Sequence, residues 1–147
     1  MLAMEEVDVI SMVNKHYKKY IFIHKDKDMS KGERLCKRVI ERISKRSFTK
    51  VRPNILVNPK TNRNLELDLY NDTLEIAVEY NGIQHYEYTK RFHKTYGDFR
   101  RQQERDALKR QLCKDHGVSL IVVTFNCSEV YNVITTRLLA RQRTQSL

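Results

Sequence analysis

The stretch Leu65–Tyr86, LELDLYNDTLEIAVEYNGIQHY, reads as two short alternating runs joined by a polar turn, and the fold follows from it. Successive side chains of a strand point to opposite faces. Leu65, Leu67 and Leu69 are therefore expected on one face, with Glu66, Asp68 and Tyr70 on the other. In the second run Leu74, Ile76, Val78 and Tyr80 alternate with Glu75, Ala77, Glu79 and Asn81. Asn71-Asp72 is the expected hairpin turn, although it lacks the glycine that makes such a signal strong. Pairing of the runs brings Asp68 close to Glu79, with Asn81 two residues further along the same face. Two carboxylates held together repel unless a proton or a cation lies between them, and hard divalent cations prefer carboxylate oxygens. The plainer alternative is an acidic face that is only solvated and balanced by nearby lysines.

Upstream, Met4 to Tyr20 has Val7, Ile10, Val13 and Tyr17 at helical spacing. A second helix starts at Ser30, where Ser30 and Glu33 form an S-x-x-E capping box, and it carries an apolar stripe of Leu35, Cys36, Val39, Ile40 and Ile43. Glu33 has two readings. It caps the helix, and it also stands nearly two turns before Ile40 on the buried stripe, where an acid can approach the pair on the sheet. Phe48 to Val57 reads as extended, with Ile55 to Val57 the expected strand, and NPKTNRN as an exposed turn-rich connection.

Downstream, YEYTKRFHKTYG (residues 86–97) interleaves aromatic and basic residues, which suits backbone contacts plus base stacking and equally suits an ordinary surface loop. Asp98 to Asp115 is the expected long helix, ending before Gly117, with Gln103, Asp106 and Lys109 on one face. SLIVVTF (residues 119–125) reads as a strand buried on both faces, and Ser128 to Arg143 as a closing helix. The pattern predicts an α/β domain, a small mixed four-stranded sheet flanked by helices, preceded by an N-terminal helical extension over residues 1–29.

The chain has 147 residues, with 40% hydrophobic and 31% charged. That length suits one globular unit, here residues 30–147. Lys and Arg number 28 against 18 Asp and Glu, a net charge of +10, which favours a polyanionic partner through counterion release. Three scattered cysteines fit a reducing compartment better than a disulfide framework. The Cys113–His116 spacing is that of half a zinc site, but further ligands at sensible spacing are missing, so Cys113 reads as a core thiol. No apolar run approaches the roughly 18 residues of a membrane span, and MLAMEEVD does not read as a signal peptide. An intracellular location is expected, cytoplasmic or nuclear.

At Glu79-Tyr80-Asn81-Gly82-Ile83-Gln84-His85-Tyr86 the sequence resembles the PD-(D/E)XK nuclease superfamily, nearest to small endonuclease-like proteins related to very-short-patch-repair enzymes. Leu67-Asp68 upstream, Gln103, Asp106 and Lys109 downstream, and the final G-x-x-L-I-V strand extend the likeness over about Ser30 to Phe125. The resemblance implies a restriction-endonuclease-like core and a Mg²⁺- or Mn²⁺-dependent endonuclease acting on duplex or structured DNA. It makes Asp68 and Glu79 the metal-binding acids, and Glu33 an acid that some relatives place in the first core helix. The lysine of the family's E-x-K is replaced here by Asn81, which positions a water but supplies no charge. Gln84 and His85 follow closely and are candidates to share that work, His85 as general base; Lys90, Lys94 or Lys109 are candidates to reach in instead. Lys37, Lys90, Arg91, Lys94, Arg101, Arg105 and Lys109 are the candidates for contact with phosphates. The rival readings are a nucleic-acid-binding module of the same fold that has lost its chemistry, and a structural protein whose basic surface docks an acidic partner. Specificity is left to DNA structure, a second copy of the chain or a protein partner.

Overall fold

A computed structural model of the protein describes residues 28–145, so the helix expected over Met4–Tyr20, and with it nearly all of the N-terminal extension, lies outside the described residues. Helix α1 (Lys31–Ser44) is followed by strands β1 (Thr49–Val51), β2 (Val57–Asn58), β3 (Arg63–Asn64), β4 (Leu67–Asn71) and β5 (Ile76–Asn81). A single 3₁₀ turn, Ile83–His85, leads to helix α2 (Tyr96–Asp115), strand β6 (Ser119–Thr124) and helix α3 (Val130–Gln145). The four-stranded sheet has the order β1-β4-β5-β6. Its β1–β4 and β4–β5 pairs are antiparallel and β5–β6 is parallel, the mixed α/β arrangement expected from the sequence. A parallel pair needs a long crossover, and α2 supplies it.

The sheet is packed on both faces. Cys36 and Ile40 of α1 and Val130, Ile134 and Leu138 of α3 cover one face, against Leu69, Ile76, Val78, Ile121 and Val123. Leu108, Leu112 and Cys113 of α2 cover the other, with Val51, Leu56, Leu65, Leu67, Ala77 and Val118. Strand β5 lies in the middle and is buried at five of its six positions, Glu79 and Asn81 included.

Several local expectations are corrected. Leu67 and Leu69 do not share a face: Leu69 joins the α1/α3 core and Leu65 and Leu67 join the α2 core. Thr49 pairs with Tyr70 and Val51 with Leu67, so a two-residue step on β1 faces a three-residue step on β4. An extra residue of this kind, a β-bulge, breaks the alternation and re-aims side chains; here it falls at Asp68-Leu69. The turn after β4 runs over Asp72–Glu75 rather than Asn71-Asp72, with the Leu74 N–H donating to Asn71 Oδ1 (2.8 Å) and Glu75 at φ 53°. The sheet's edge is Thr49–Val51, whereas Ile55 lies in a turn and the NPKTNRN connection folds as the small β2–β3 hairpin. Strand β6 is the opposite edge, deeply buried only at Ile121 and Val123, and Arg137 of α3 donates to its Leu120 carbonyl (3.1 Å). Helix α2 begins at Tyr96, because Thr95 and Asp98 form a capping box there. Helix α3 begins at Val130, two residues after the expected Ser128. Leu35, placed on the α1 stripe, is exposed; the buried line is Cys36, Ile40 and Ser44.

Helix α1 approaches the sheet most closely at Gly32, where an added Cβ would overlap the ring of Tyr80. Overpacking of this kind costs about 1–3 kcal/mol. Gly32→Ala is expected to lower stability in urea unfolding by that amount, and most of the loss should vanish in a Tyr80→Leu background. An equal loss in both backgrounds would place the strain elsewhere.

Candidate active site

The register that pairs Leu69 with Val78 brings Asp68 opposite Glu79 at the next step. There the two strands are crosslinked by their side chains. The backbone N–H of Asp68 donates to Glu79 Oε1 (3.0 Å), and the N–H of Tyr80 donates to Asp68 Oδ2 (3.2 Å). Each acid is thus fixed by the main chain of the strand opposite. The bulge at Asp68 and the central place of β5 make this exchange possible.

Two lysines bracket the pair. Lys109 Nζ, from α2, donates to Glu79 Oε2 at 2.8 Å, and the side chains of both are largely buried. Lys50, from β1 opposite the bulge, lies 3.5 Å from Glu33 Oε2 and 3.7 Å from Glu66 Oε1. Burial lowers the Lys50 pKa, but the carboxylates of Glu33, Asp68 and Glu66 outweigh it and hold the ammonium above its usual value. Asp68 shows the strain most clearly. Burial first, then repulsion from Glu79 and Glu33, push its pKa from 3.8 up to about 7, against the opposing pull of Lys109 and the Tyr80 N–H.

Glu33 performs the capping role read for it. The capping box is formed, with the Ser30 N–H donating to Glu33 Oε2 and the Glu33 N–H donating to Ser30 Oγ, both at 3.1 Å. The same carboxylate faces Lys50 and adds to the field at Asp68. It does not join Asp68 and Glu79 in a ready-made metal cage: among the described residues no three His, Cys, Asp or Glu side chains converge to hold an ion. Its Oε2 is drawn to the helix cap and to Lys50 instead.

Asn81 is 6% exposed, and its Nδ2 donates to the Tyr86 hydroxyl at 3.4 Å. His85 Nδ1 lies 2.7 Å from Asp106 Oδ2. Gln102 Nε2 is within 3.4 Å of both His85 ring nitrogens, and Gln102 Oε1 is 2.8 Å from Nε2 of the buried His93. A chain His93–Gln102–His85–Asp106 therefore runs between α2 and the preceding loop. Asp106 and Lys109 stand one turn apart on α2, about 4.5 Å along its axis, so His85 flanks the carboxylate pair. The face that points inward is Gln102, Asp106 and Lys109, not Gln103. Steps of four and three stay in line on a helix, whereas repeated steps of three drift around it. Gln84, in the 3₁₀ turn, folds back toward Gly82.

Of the seven basic candidates, Lys109 is aimed inward by α2 and pairs with Glu79. Lys37 has a largely covered side chain 3.8 Å from Glu41, and Arg101 pairs with Asp98 at the start of α2. Lys90, Arg91, Lys94 and Arg105 are exposed. Gln102, His93 and Lys50 escaped the sequence reading. The 102/106/109 spacing was available to find Gln102, but nothing local marks Lys50 or His93. Cys113 is a core thiol, pushed up to about 11 by burial and Glu79, and His116 is exposed at the helix end. No helix among the described residues is long and apolar enough to cross a membrane.

The chain is similar to three proteins of viruses. It is 45% identical over 102 residues to uncharacterized protein 094L of Frog virus 3 (isolate Goorha), spanning 69% of this chain and 66% of that protein. It is 38% identical over 124 residues to uncharacterized protein 307L of Invertebrate iridescent virus 6, spanning 74% and 63%. It is 45% identical over 96 residues to uncharacterized protein 033L of Invertebrate iridescent virus 3, spanning 65% and 50%. The chain thus spans between half and about two thirds of the length of these relatives. No family model and no solved structure matches it.

The raised Asp68 pKa has a direct consequence for stability. An acid that binds protons more tightly when folded favours the fold fully below its unfolded value of 3.8, and that contribution is lost as pH rises through about 7. Asp68→Asn keeps an acceptor for the Tyr80 N–H while removing the charge. It is expected to be more stable than the parent by on the order of 1–3 kcal/mol at pH 8 and no more stable at pH 4. A constant difference across that range in urea melts would contradict the repulsion.

Proposed function

We propose that the chain is a metal-dependent endonuclease with a restriction-endonuclease-like core, hydrolysing phosphodiester bonds in DNA by attack of an activated water. The observation that carries this reading is the pair of buried Glu79 and half-buried Asp68, each anchored by the opposite strand and joined at Glu79 by Lys109. Three carboxylates meet two lysines here, which leaves excess negative charge inside the protein and an acid titrating near neutrality. That charge suits a hard divalent cation. Mg²⁺ commonly takes one or two protein carboxylates and leaves its other positions to water and phosphate oxygens, so Asp68 and Glu79 fit it without a third protein ligand. A bound Mg²⁺ or Mn²⁺ supplies polarisation of the phosphoryl oxygen and a lower pKa for water.

The chain's own residues supply the rest. Asp68 and Glu79 would hold the ion. Lys109 brings to Glu79 the ammonium that Asn81 cannot, and it is placed to stabilise charge that develops on the phosphate. Asn81, tied to Tyr86, and Gln84 are placed to orient a water or a phosphate oxygen by hydrogen bonds. His85, with Asp106 on one ring nitrogen, serves as a proton acceptor whose tautomer and orientation are set by Asp106 and Gln102. The net charge of +10 draws the polyanion to the surface.

One observation favours a second reading, a nucleic-acid-binding domain without chemistry. Lys109 is paired with Glu79 where a cation would bind, and no three ligating side chains converge among the described residues. The two readings separate with Mn²⁺ on single-stranded, forked and plasmid DNA. The nuclease reading expects cleavage that chelation abolishes and that Asp68→Ala and Glu79→Ala lose. Lys109→Met should lower the rate by about 10²–10³-fold while its Mn²⁺ binding, measured by calorimetry, persists. A folded parent that binds DNA and leaves it uncut across duplex, branched and mismatched substrates would establish the second reading.

A further inference from the structure

Beside the acidic pair lies a belt of exposed rings. Tyr86, Tyr88, Phe92, Tyr96 and Phe125 are all exposed, Phe92 by 50% and Tyr96 by 60%. They are ordered by contacts among themselves and their neighbours. The Tyr86 and Phe125 rings are 6.1 Å apart, Tyr88 and Tyr96 are 5.9 Å apart, Tyr88 stacks on His93 at 5.8 Å, and Arg91 lies over Phe92 at 5.3 Å. Tyr86 and Tyr88 are two residues apart in one loop, so their Cα atoms lie no more than about 7 Å from one another.

The belt is tied to the candidate site at two points. Tyr86 accepts a hydrogen bond from Asn81, and the Phe125 N–H donates to the Asn81 carbonyl at 2.9 Å, which fixes both rings at the carboxyl ends of the parallel strands β5 and β6. Tyr88 stacks on His93 and meets Tyr96, and His93 in turn meets Phe99, accepts from the Thr89 N–H and reaches Gln102 and, through it, His85. Within residues 86–97 the charged residues are Lys90, Arg91 and Lys94 against Glu87 alone.

We propose that the loop 86–97, with Phe125, is a stacking platform for an unpaired nucleic-acid strand leading to Asp68 and Glu79. The substrates of the proposed nuclease are then single-stranded or forked rather than continuous duplex, a conclusion that rests on the nuclease reading for the cleavage and on the platform for the strand. Continuous duplex hides its base faces inside the stack and presents only backbone and base edges. Exposed rings gain from a partner whose base faces are open, and interleaved cations hold its phosphates. A protein partner fits less well, since the cores of protein interfaces are depleted of lysine and Lys90 and Lys94 sit among these rings.

Fluorescence anisotropy in EDTA tests the platform apart from cleavage, using labelled thymidine and uridine oligomers of about 12 nucleotides and a hairpin duplex of the same length. The parent should bind an unpaired oligomer more tightly than the duplex, and the stronger of the two oligomers identifies the sugar. Phe92→Ala and Tyr96→Ala should each weaken unpaired-strand binding by about 5- to 100-fold, with the duplex nearly unchanged. Tyr96→Phe, which keeps the ring, should bind like the parent. Duplex preference, unaffected alanine variants, or losses matched by a dimer-to-monomer change in sedimentation would overturn the platform, the last by showing a second copy as its occupant. Strand binding without Mn²⁺-dependent cleavage would sink the nuclease reading alone. Cleavage of duplex that ignores both alanine substitutions would sink the platform alone.

Discussion

Two carboxylates, buried Glu79 and half-buried Asp68, face each other across a strand pair, and each is held by the backbone N–H of the other strand. Everything near them is arranged around that contact. Burying charge is costly, and burying two of one sign costs more. The crossed hydrogen bonds offset part of this, because an anionic acceptor makes a stronger bond to an amide than a neutral carbonyl does. They also join β4 to β5 at the step beyond the paired Leu69 and Val78, while the bulge at Asp68-Leu69 lies in the pairing of β4 with β1. A regular β4 would keep Leu67 and Leu69 in one core and leave Asp68 on an ordinary face.

Cations from distant parts of the chain supply the remaining compensation. Lys109 comes from the crossover helix and Lys50 from the edge strand, and they approach different members of the acid group. The balance is incomplete, and Asp68 carries the deficit as a pKa near 7. A core that sought only stability would replace such a group by apolar side chains of similar volume. The presence of Glu79 in the best-buried strand, with Asp68 opposite it on β4, is the physical reason to read the pair as a site. Polar and strained features of this kind concentrate where chemistry or binding requires them.

Helix α2 joins the layers of the candidate site. One of its faces seals the second hydrophobic core through Leu108, Leu112 and Cys113. The neighbouring face carries Gln102, Asp106 and Lys109, and so holds His93, His85 and Glu79. Its start is set by the Thr95–Asp98 capping box, directly after the aromatic loop. A shift of α2 by one residue would turn all three polar contacts away together, so packing of the core and geometry of the site are specified by the same helix register.

The sequence by itself determined the fold class, the acidic hairpin, the S-x-x-E start signal at Ser30, and the facing of Asp68 and Glu79. Those features depend on periods of two and 3.6 and on capping, all read over a few residues. It left Glu33 between two roles, of which the geometry shows the cap, and it placed the edge strand, the hairpin turn and the starts of α2 and α3 several residues off, because end positions depend on capping and turn geometry that periodicity does not encode. Only the tertiary structure decided that Leu67 and Leu69 part company, since a bulge is a property of two paired strands. Only it decided that the cation beside Glu79 is Lys109, thirty residues away. An ammonium at the end of a long flexible side chain is assigned by which helix packs over which strand, and no local pattern records that choice.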